Sequence, residues 1–529
     1  MFKNKRILMI CKETFSYPLY FIAKDLRNDN KVGSYFFNPC EVSYNKSLLN
    51  SSTFYKFKEL DDVQVFDSKD ITELFTENIN NPKLDMDYVK MIEHKYTNFK
   101  NINLQLLSTQ KMSTYYHDRG FYSKSTYNQQ LYWVELNYKK ALEIIEDFKP
   151  DIIIDTDNSE LARTAFSEIA HVKNIPYLTI GYPRYELYKI PKTNFGIGIE
   201  LFFRNCYKEK LILPKENLLE ELNYVKEFRE KGSIMSSEFK NDSTSQYKRD
   251  SVVFLLKKII GKFLYFWNQD FTAKNFILKS KNRILFGPSY LFLWFFIKLE
   301  IKKWYLLGKN SFFSNPVKGE EYVYMPLHLI PESSTLTDAP FYINELMVIE
   351  QVSKSLPVGW FLYVKEHQSM LGERAFKFYK KVNSLHNVKM ISVNFFKDPK
   401  PLISFSKGVV TITGTSAYEA VMLGKKSIVF GEVPFNLIEG VFRVKSFEEL
   451  PSIIASFGAI DNVHSCAAYI SAVKSLGMEI NLKNLMAEGE AILLGNKEIS
   501  EEYKKQIKQL SIFYEKGFEN FIKSKRQLN

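Results

Sequence analysis

Three short runs in the C-terminal half place polar and charged side chains where strands should run out. Pro326–Thr335 (PLHLIPESST) carries His328 and Glu332, and Val364–Gln368 (VKEHQ) carries Lys365, Glu366 and His367. Thr411–Ala420 (TITGTSAYEA) carries Gly414, Thr415 and Ser416 at a helix start, with Glu419 one turn further on. The first turn of a helix offers unpaired N–H groups and a partial positive charge, two hydroxyls add donors, and glycine permits close backbone approach. That combination makes a phosphate cradle. Each run has a plainer reading when taken singly. A TGTS turn is an ordinary N-cap, a histidine at a strand end is commonly structural, and Lys365 beside Glu366 is a surface ion pair. Their convergence on one rim is what points to a phosphate-bearing ligand.

A second group of carboxylates lies in the N-terminal half. In DTDNSE, Asp155, Asp157 and Glu160 sit at the end of an isoleucine-rich strand and the start of a helix. A carboxylate there can act as a general base on a hydroxyl or as a nucleophile, with Asp157 favoured; the plainer reading is that Asp157 or Ser159 caps the helix. YPRYE supplies Arg184, a candidate partner for a carboxylate, and Glu13 follows the first strand as a further candidate on the acceptor side.

The elements that must position these groups follow from patterning. Arg6–Cys11 reads as a strand and Tyr17–Arg27 as a helix; Leu136–Phe148 reads as a helix ended by Lys149-Pro150. Asp151–Asp155 is a strand, Glu160–Lys173 a helix and Tyr177–Gly181 a strand, which is βαβ order and predicts a parallel sheet. The polar section from 45 to 128 reads as a helical insertion shaping an acceptor site. Further on, strands are expected at Tyr322–Pro326, Trp360–Val364, Val388–Ser392, Val409–Thr413 and Ser427–Phe430. Helices are expected at Tyr342–Ser355, Glu373–Leu385, Pro399–Ser406 and Ser416–Leu423. In such doubly wound sheets ligands bind beyond the carboxyl ends of the strands. The fold class is therefore α/β with two Rossmann-like domains, helical insertions and a helical C-terminal tail. The expected units are 1–240 (acceptor side), 247–310 (basic aromatic linker or hairpin), 318–475 (donor side) and 476–529 (tail, crossing back over the first unit).

Composition narrows the function classes. With 529 residues, 45% hydrophobic and 25% charged, the chain is long enough for two or three packed domains. Its net charge of +12 favours anionic partners, and the lack of nucleic-acid-binding motifs turns that preference away from nucleic acid. Four scattered cysteines without CxxC spacing argue against a zinc site or a disulfide framework and suit a reducing, cytoplasmic setting. The N-terminal apolar run is broken by Lys12 and Glu13 and reads as a strand, not a leader. Lys248–Lys309 alternates aromatic-aliphatic runs with lysines. Two readings stand: a helical hairpin packed on the domains, or a peripheral contact with an anionic inner-membrane surface.

The blocks EYVYMPLHLIPESST, LPVGWFLYVKEHQ, NVKMIS and VVTITGTSAYEAVMLGKKSIVFG resemble the capsule polysaccharide synthesis family, which is similar to the β-Kdo transferases of bacterial capsule assembly. The resemblance spans roughly 120 residues of the C-terminal half. The family pattern is KEHP, whereas this chain has Gln368 after His367, a change in loop shape more than in chemistry. The resemblance implies a GT-B-like fold and a glycosyltransferase using a CMP-linked acidic sugar, of Kdo or nonulosonic-acid type. The acceptor would be a surface polysaccharide or its lipid-linked precursor. It implies His367 on the donor phosphate, Thr415 and Ser416 beside it, and Glu419 toward the cytidine or ribose, while the carboxylate from the facing domain runs an inverting or a retaining transfer. No cofactor is expected, because no paired acidic motif calls for Mg²⁺ and the donor itself is a co-substrate. Two alternatives are a GT-B-like sugar-nucleotide epimerase or hydrolase, and a non-catalytic capsule assembly or export protein.

Overall fold

The computed structural model describes residues 2–37, 53–78, 80–97, 101–108, 126–157, 160–193, 198–231, 248–272, 289–308, 312–330, 332–395 and 398–528. Two sheets organise them. The first contains β1 (Arg6–Cys11), β2 (Lys31–Phe36), β3 (Val63–Asp67), β4 (Ile152–Ile154), β5 (Tyr177–Gly181), β6 (Tyr188–Lys192) and β13 (Met478–Glu479), in the order β13-β6-β5-β4-β1-β2-β3. From β3 to β5 all pairings are parallel, and β6 and β13 extend the edge antiparallel. The second contains β7 (Glu321–Pro326), β8 (Trp360–Lys365), β9 (Val388–Ile391), β10 (Gly408–Thr411), β11 (Ser427–Val429) and β12 (Val441–Arg443), in the order β12-β11-β10-β7-β8-β9 and parallel throughout. Counted from each sheet's own first strand, the orders are 3-2-1-4-5 and 3-2-1-4-5-6, the doubly wound pattern twice over. The protein is α/β with two Rossmann-like units, a GT-B-like arrangement.

Local chemistry explains the key elements. The helix Tyr127–Phe148 opens with a reciprocal capping box between Thr126 and Gln129 and closes at Lys149 in the left-handed region, ahead of Pro150. That stop delivers the chain to β4, whose three isoleucines are fully buried because helices cover both faces of the sheet. β2, β3, β6, β12 and β13 are absent from the sequence expectation. KVGSYF lacks alternation, VQVFD is a half-exposed edge, and β12 is three residues long. The insertion from 45 to 128 is helical where described, at Thr53–Lys58, Lys69–Glu77, Met86–Tyr96 and Ile102–Ser108, but it also supplies β3.

Packing ties the two units together. The helices Leu201–Leu211 and Leu219–Glu230 precede residue 240, yet Phe203, Tyr207, Val225 and Phe228 share a core with Tyr322, Tyr324 and Tyr363 of the second sheet. The helix Val463–Leu476 joins that core and bonds to the first unit, its Tyr469 hydroxyl donating to the Pro183 carbonyl at 2.8 Å. The tail does cross back. Leu482 and Leu485, then Tyr503, Ile507, Leu510, Phe513 and Tyr514, pack on Ile7, Met9, Leu19 and Leu178 of the first unit. The Tyr514 hydroxyl also donates to the Asp155 carbonyl at 2.8 Å. Among the described residues no helix is long and apolar enough to cross a membrane. Because the tail completes the first core, Leu510→Ala is expected to cost about 2–5 kcal/mol in urea unfolding, the scale for a buried leucine. A cost below about 0.5 kcal/mol, the scale of surface substitutions, would show the tail to be peripheral.

Candidate functional site

β7 and β10 are neighbours, but the chain leaves them on opposite faces. The helix after β7, Glu345–Lys354, buries Val348, Ile349 and Val352 on one face, while that after β10, Thr415–Met422, buries Ala417, Ala420 and Val421 on the other. In doubly wound sheets such a reversal marks the crevice at the carboxyl ends of the two strands, and the three runs with candidate residues lie at those ends.

His328 spans this crevice from below. Its backbone N–H donates to Glu345 Oε1 at 2.7 Å, and its ring Nδ1 lies 3.3 Å from the same oxygen. Nε2 accepts from the Thr413 backbone N–H at 3.2 Å and lies 3.0 Å from the Thr411 hydroxyl, which accepts in turn from the Gly414 N–H at 3.1 Å. This pattern assigns the ring proton to Nδ1. His328 is thus a brace between β7 and the β10 loop, with both ring nitrogens engaged inside the protein. It also explains Gly414: a Cβ there would lie 2.5 Å from Thr411 Oγ1 and 3.2 Å from His328 Nε2. The glycine is needed for approach to the brace.

Glu366 is likewise internal. With Glu345 it clasps the buried Arg374, whose Nε lies 3.0 Å from both Glu366 oxygens, whose Nη1 lies 2.5 Å from Glu345, and whose Nη2 donates to the His328 carbonyl at 2.7 Å. Tyr379 adds a hydroxyl to Glu366 at 2.7 Å. Burial pushes both carboxyls up; the Arg374 guanidinium and His328 outweigh it at Glu345 and hold that group low, whereas Glu366 stays raised. Lys365 is buried too, donating to the Phe395 carbonyl at 3.0 Å, and burial brings its ammonium down to about 8. Glu332 stands at the N-cap of the short helix Ser333–Asp338 without a side-chain cap bond.

His367, Thr415, Ser416 and Glu419 are only partly buried, and none of them lines the cleft that holds Arg184. His367 caps the 3₁₀ turn Gln368–Met370, its Nδ1 accepting from the Ser369 N–H at 3.2 Å, so the proton rests on Nε2. Burial, with His328 and Arg374 adding to it, lowers the imidazole to about 4. At neutral pH it is an uncharged ring with a donating Nε2–H. Thr415 and Ser416 begin the helix, both partly exposed. Ser416 bonds to Glu419, whose Oε2 is buried without a hydrogen-bond partner although the residue as a whole is partly exposed. Burial and Asp398 raise the Glu419 carboxyl to about 7, against the pull of Ser416 and Arg184.

Arg184 comes from the first unit. It and Tyr182 face Thr413, Ser334 and Glu432 across a narrow cleft between the two units. Lys192 and Asp338 also line the cleft and bridge it at 2.9 Å. Arg184 has a positive φ of 70°, a strained setting for a non-glycine residue.

The carboxylates of the first unit gather at its own switch point and do not line this cleft. Asp155 is fully buried, held by Arg163 Nε at 2.8 Å and the Tyr177 hydroxyl at 2.5 Å; burial pushes its carboxyl up and Arg163 and Tyr177 pull it back. Glu160 pairs with Lys12 and lies 3.6 Å from Arg163, on a backbone strained to φ 86°. Asp157, held by Arg163 at 3.2 Å, keeps 19% of its side chain exposed against 6% for Glu160, so it is the most accessible of the three. Glu160, not Asp157, stands at the N-cap, without a side-chain cap bond, and Ser159 lies outside the described residues. Glu13 opens a 3₁₀ turn after β1; its side chain also lies outside the described residues. Among the described residues no cluster of three or more His, Cys, Asp or Glu is placed to hold a metal ion.

Sequence reasoning missed Arg163, Arg374 and Glu345. Arg163 had a visible signal, a cation within the apolar run LARTAF, where a fully buried charge needs a partner. Arg374 had none, because GERAFKFYKK reads as a solvated helix.

No family profile matches the chain, and no curated protein matches it. Among solved structures it is similar to KpsC, beta Kdo 2,7 transferase, of Thermosulfurimonas dismutans, at 10% identity over 68% of this chain and 89% of that one, TM-score 0.30. The KpsC beta Kdo 2,4 transferase of the same organism gives 15% identity, 65% and 87% coverage, and TM-score 0.27. A UDP-GlcNAc 2-epimerase of Methanocaldococcus jannaschii gives 12% identity, 89% and 98% coverage, and TM-score 0.24. Likenesses at such scores carry no weight, and the architecture rests on its own strand orders.

Two outcomes follow from these networks. Arg374→Met leaves two carboxylates buried without their cation and is expected to destabilise the protein by about 3–5 kcal/mol; lysine, lacking the planar fork, should recover little of it. Equal stability of wild type and the lysine variant in chemical denaturation would contradict this. Glu419 has a folded-state value raised from 4.5 to about 7, so its contribution is full below the unfolded value and lost as pH rises through the folded one. Glu419→Gln should therefore gain stability relative to wild type between pH 5 and 8, by up to about 3 kcal/mol, as read by unfolding curves at each pH. A constant difference across that range would mean that Glu419 titrates normally.

Proposed function

We propose that the protein is a glycosyltransferase moving an acidic sugar, of Kdo or nonulosonic-acid type, from a CMP-sugar to a bacterial surface polysaccharide or its lipid-linked precursor. The observation that carries the reading is the crevice between β7 and β10. It offers the open helix start at Thr415–Ser416 and the neutral Nε2–H donor of His367, and it gives onto a cleft lined by Arg184 from the other unit. A single phosphate needs several donors and no large charge, which suits a nucleoside monophosphate leaving group stabilised as its bond to the sugar breaks. Arg184 is suited to the carboxylate of the sugar. Glu419, with an unfilled buried oxygen beside the helix start, is suited to a hydroxyl or amino group of the nucleoside. His328 and Arg374 act as positioning residues: they fix the loops that carry Thr413–Ser416 and His367. In this reading Asp157 deprotonates the acceptor hydroxyl or attacks the anomeric carbon, while Asp155 and Arg163 hold it in place.

Thermal or chemical unfolding with CMP, UDP and GDP tests the donor side. CMP at a hundred times its Kd should add about 2.7 kcal/mol, and no stabilisation by any of the three would remove the nucleotide reading. On the acceptor side, Asp157→Ala is expected to lower CMP release from the donor by roughly a hundredfold while leaving CMP stabilisation intact. Turnover near that of wild type would exclude Asp157 from the chemistry. Acceptor-independent sugar release would point to a hydrolase.

A further inference from the structure

The helix Val252–Thr272 packs against its partner Ser289–Leu306. Leu255 on the first and Leu299 and Leu306 on the second are buried. Trp304 Nε1 donates to the Asp250 carbonyl at 2.8 Å and Arg249 stacks 3.7 Å above the Trp304 ring, which ties the lead of the first helix to the second. Lys302 donates to the carbonyl of Arg374 at 3.3 Å, which ties the pair to the second unit. Gly372 makes this docking possible: a Cβ there would lie 3.0 Å from the Leu299 carbonyl oxygen.

On the other side of the first helix, Val252, Leu256, Ile260 and Leu264 recur every fourth residue, and Val253 lies between them. A spacing of four keeps side chains on one face of an α-helix. All five are between 53% and 65% exposed. A single exposed leucine is unremarkable, but a continuous apolar face along three turns, left in water, is a surface built to be covered. Its surroundings say by what. The described parts of the two helices and their leads, 248–272 and 289–308, carry eight Lys and Arg against three Asp and Glu. Lys257 is exposed beside the apolar face, and neither helix is long and apolar enough to span a bilayer.

We propose that this hairpin docks the protein onto an anionic lipid surface. The apolar face of Val252, Val253, Leu256, Ile260 and Leu264 enters the headgroup–acyl boundary, and the flanking lysines meet the lipid phosphates. Apolar burial holds the helix in the interface, while the lysine–phosphate attraction selects anionic over neutral lipid. Since the second helix leans on the Arg374 loop, docking would hold the crevice at a fixed height above the bilayer. The inference is independent of which nucleotide or sugar the crevice takes.

The test is co-sedimentation of the full chain with vesicles of phosphatidylcholine alone or of phosphatidylcholine with phosphatidylglycerol, with light scattering in the absence of lipid. The chain is expected to bind the phosphatidylglycerol vesicles, with partitioning to neutral ones about tenfold weaker. Leu256→Asp/Ile260→Asp should reduce binding at least about tenfold, and Lys257→Glu should weaken binding to the anionic vesicles selectively. Both variants change exposed side chains and should melt with the wild type, which separates loss of binding from loss of fold. Three results would overturn the proposal: wild-type chain left in the supernatant with both vesicle types, binding unchanged in the double variant, or a lipid-free dimer that the double variant dissociates. The last would make a second copy of this chain the occupant of the face.

Discussion

The geometry of the second unit depends on one buried cation. Arg374 lies between two carboxylates, Glu345 from the helix after β7 and Glu366 from the end of β8, and its remaining nitrogen takes the carbonyl of His328. Taking three charges out of water is costly, and the cost is recovered only when geometry is good and every donor is used. The consequence is positional. Glu345 orients His328 through both its backbone and its ring, and His328 then grips Thr411 and Thr413 on the next strand's loop. Three strand ends spread along the chain at Pro326, Lys365 and Thr411 are fixed relative to one another by a chain of polar contacts that starts at a single guanidinium.

That chain divides the polar residues of the rim into two kinds. His328, Lys365 and Glu366 have their polar atoms committed to the interior, and each is buried. His367 and the helix start at Thr415 sit at the outer end of the same chain and keep donors for something else, while the Ser416 hydroxyl is spent on Glu419. The first unit repeats the arrangement at its own switch point. Arg163 is the buried cation, Asp155 its deep partner, and Asp157 the carboxylate that remains reachable. In both units a buried arginine spends its hydrogen bonds on the groups that hold the rim, so the accessible group next to it is preorganised.

Much of this was legible in the sequence, and the limits have physical causes. The alternation of apolar strands with amphipathic helices fixed β1, β4, β5 and β7–β11 to within a residue or two, because such runs have few other solutions. β2 was missed because Gly33 and Ser34 interrupt it; the glycine is there because a Cβ would lie 2.8 Å from the Phe148 ring. The rim residues were found because loops after parallel strands collect polar groups. Which of them face inward was not readable, since that depends on Arg374, and its partner Glu345 is 29 residues away behind a different strand. The role of the tail was anticipated as a crossing but not as a core. Tyr503, Leu510, Phe513 and Tyr514 form an apolar stripe in a charged helix, and only the first sheet shows what the stripe covers.

The relation between the two units has a consequence for how the cleft works. Two Rossmann-like sheets joined by a linker would be free to hinge, yet here the helices between residues 201 and 230 and the helix Val463–Leu476 belong to the second unit's core while touching the first. Tyr469 holds the Pro183 carbonyl, and Lys192 holds Asp338 across the opening. Arg184 lies one residue beyond Pro183, so the hydroxyl of Tyr469 also fixes the backbone that carries the cleft's cation. A rotation large enough to open the cleft would break the Tyr469 bond and drag Tyr185 and Ile190 out of the shared core. The cation of the first unit is therefore set against the crevice of the second by packing, before any ligand arrives, and the ordering cost of bringing it there is met in folding.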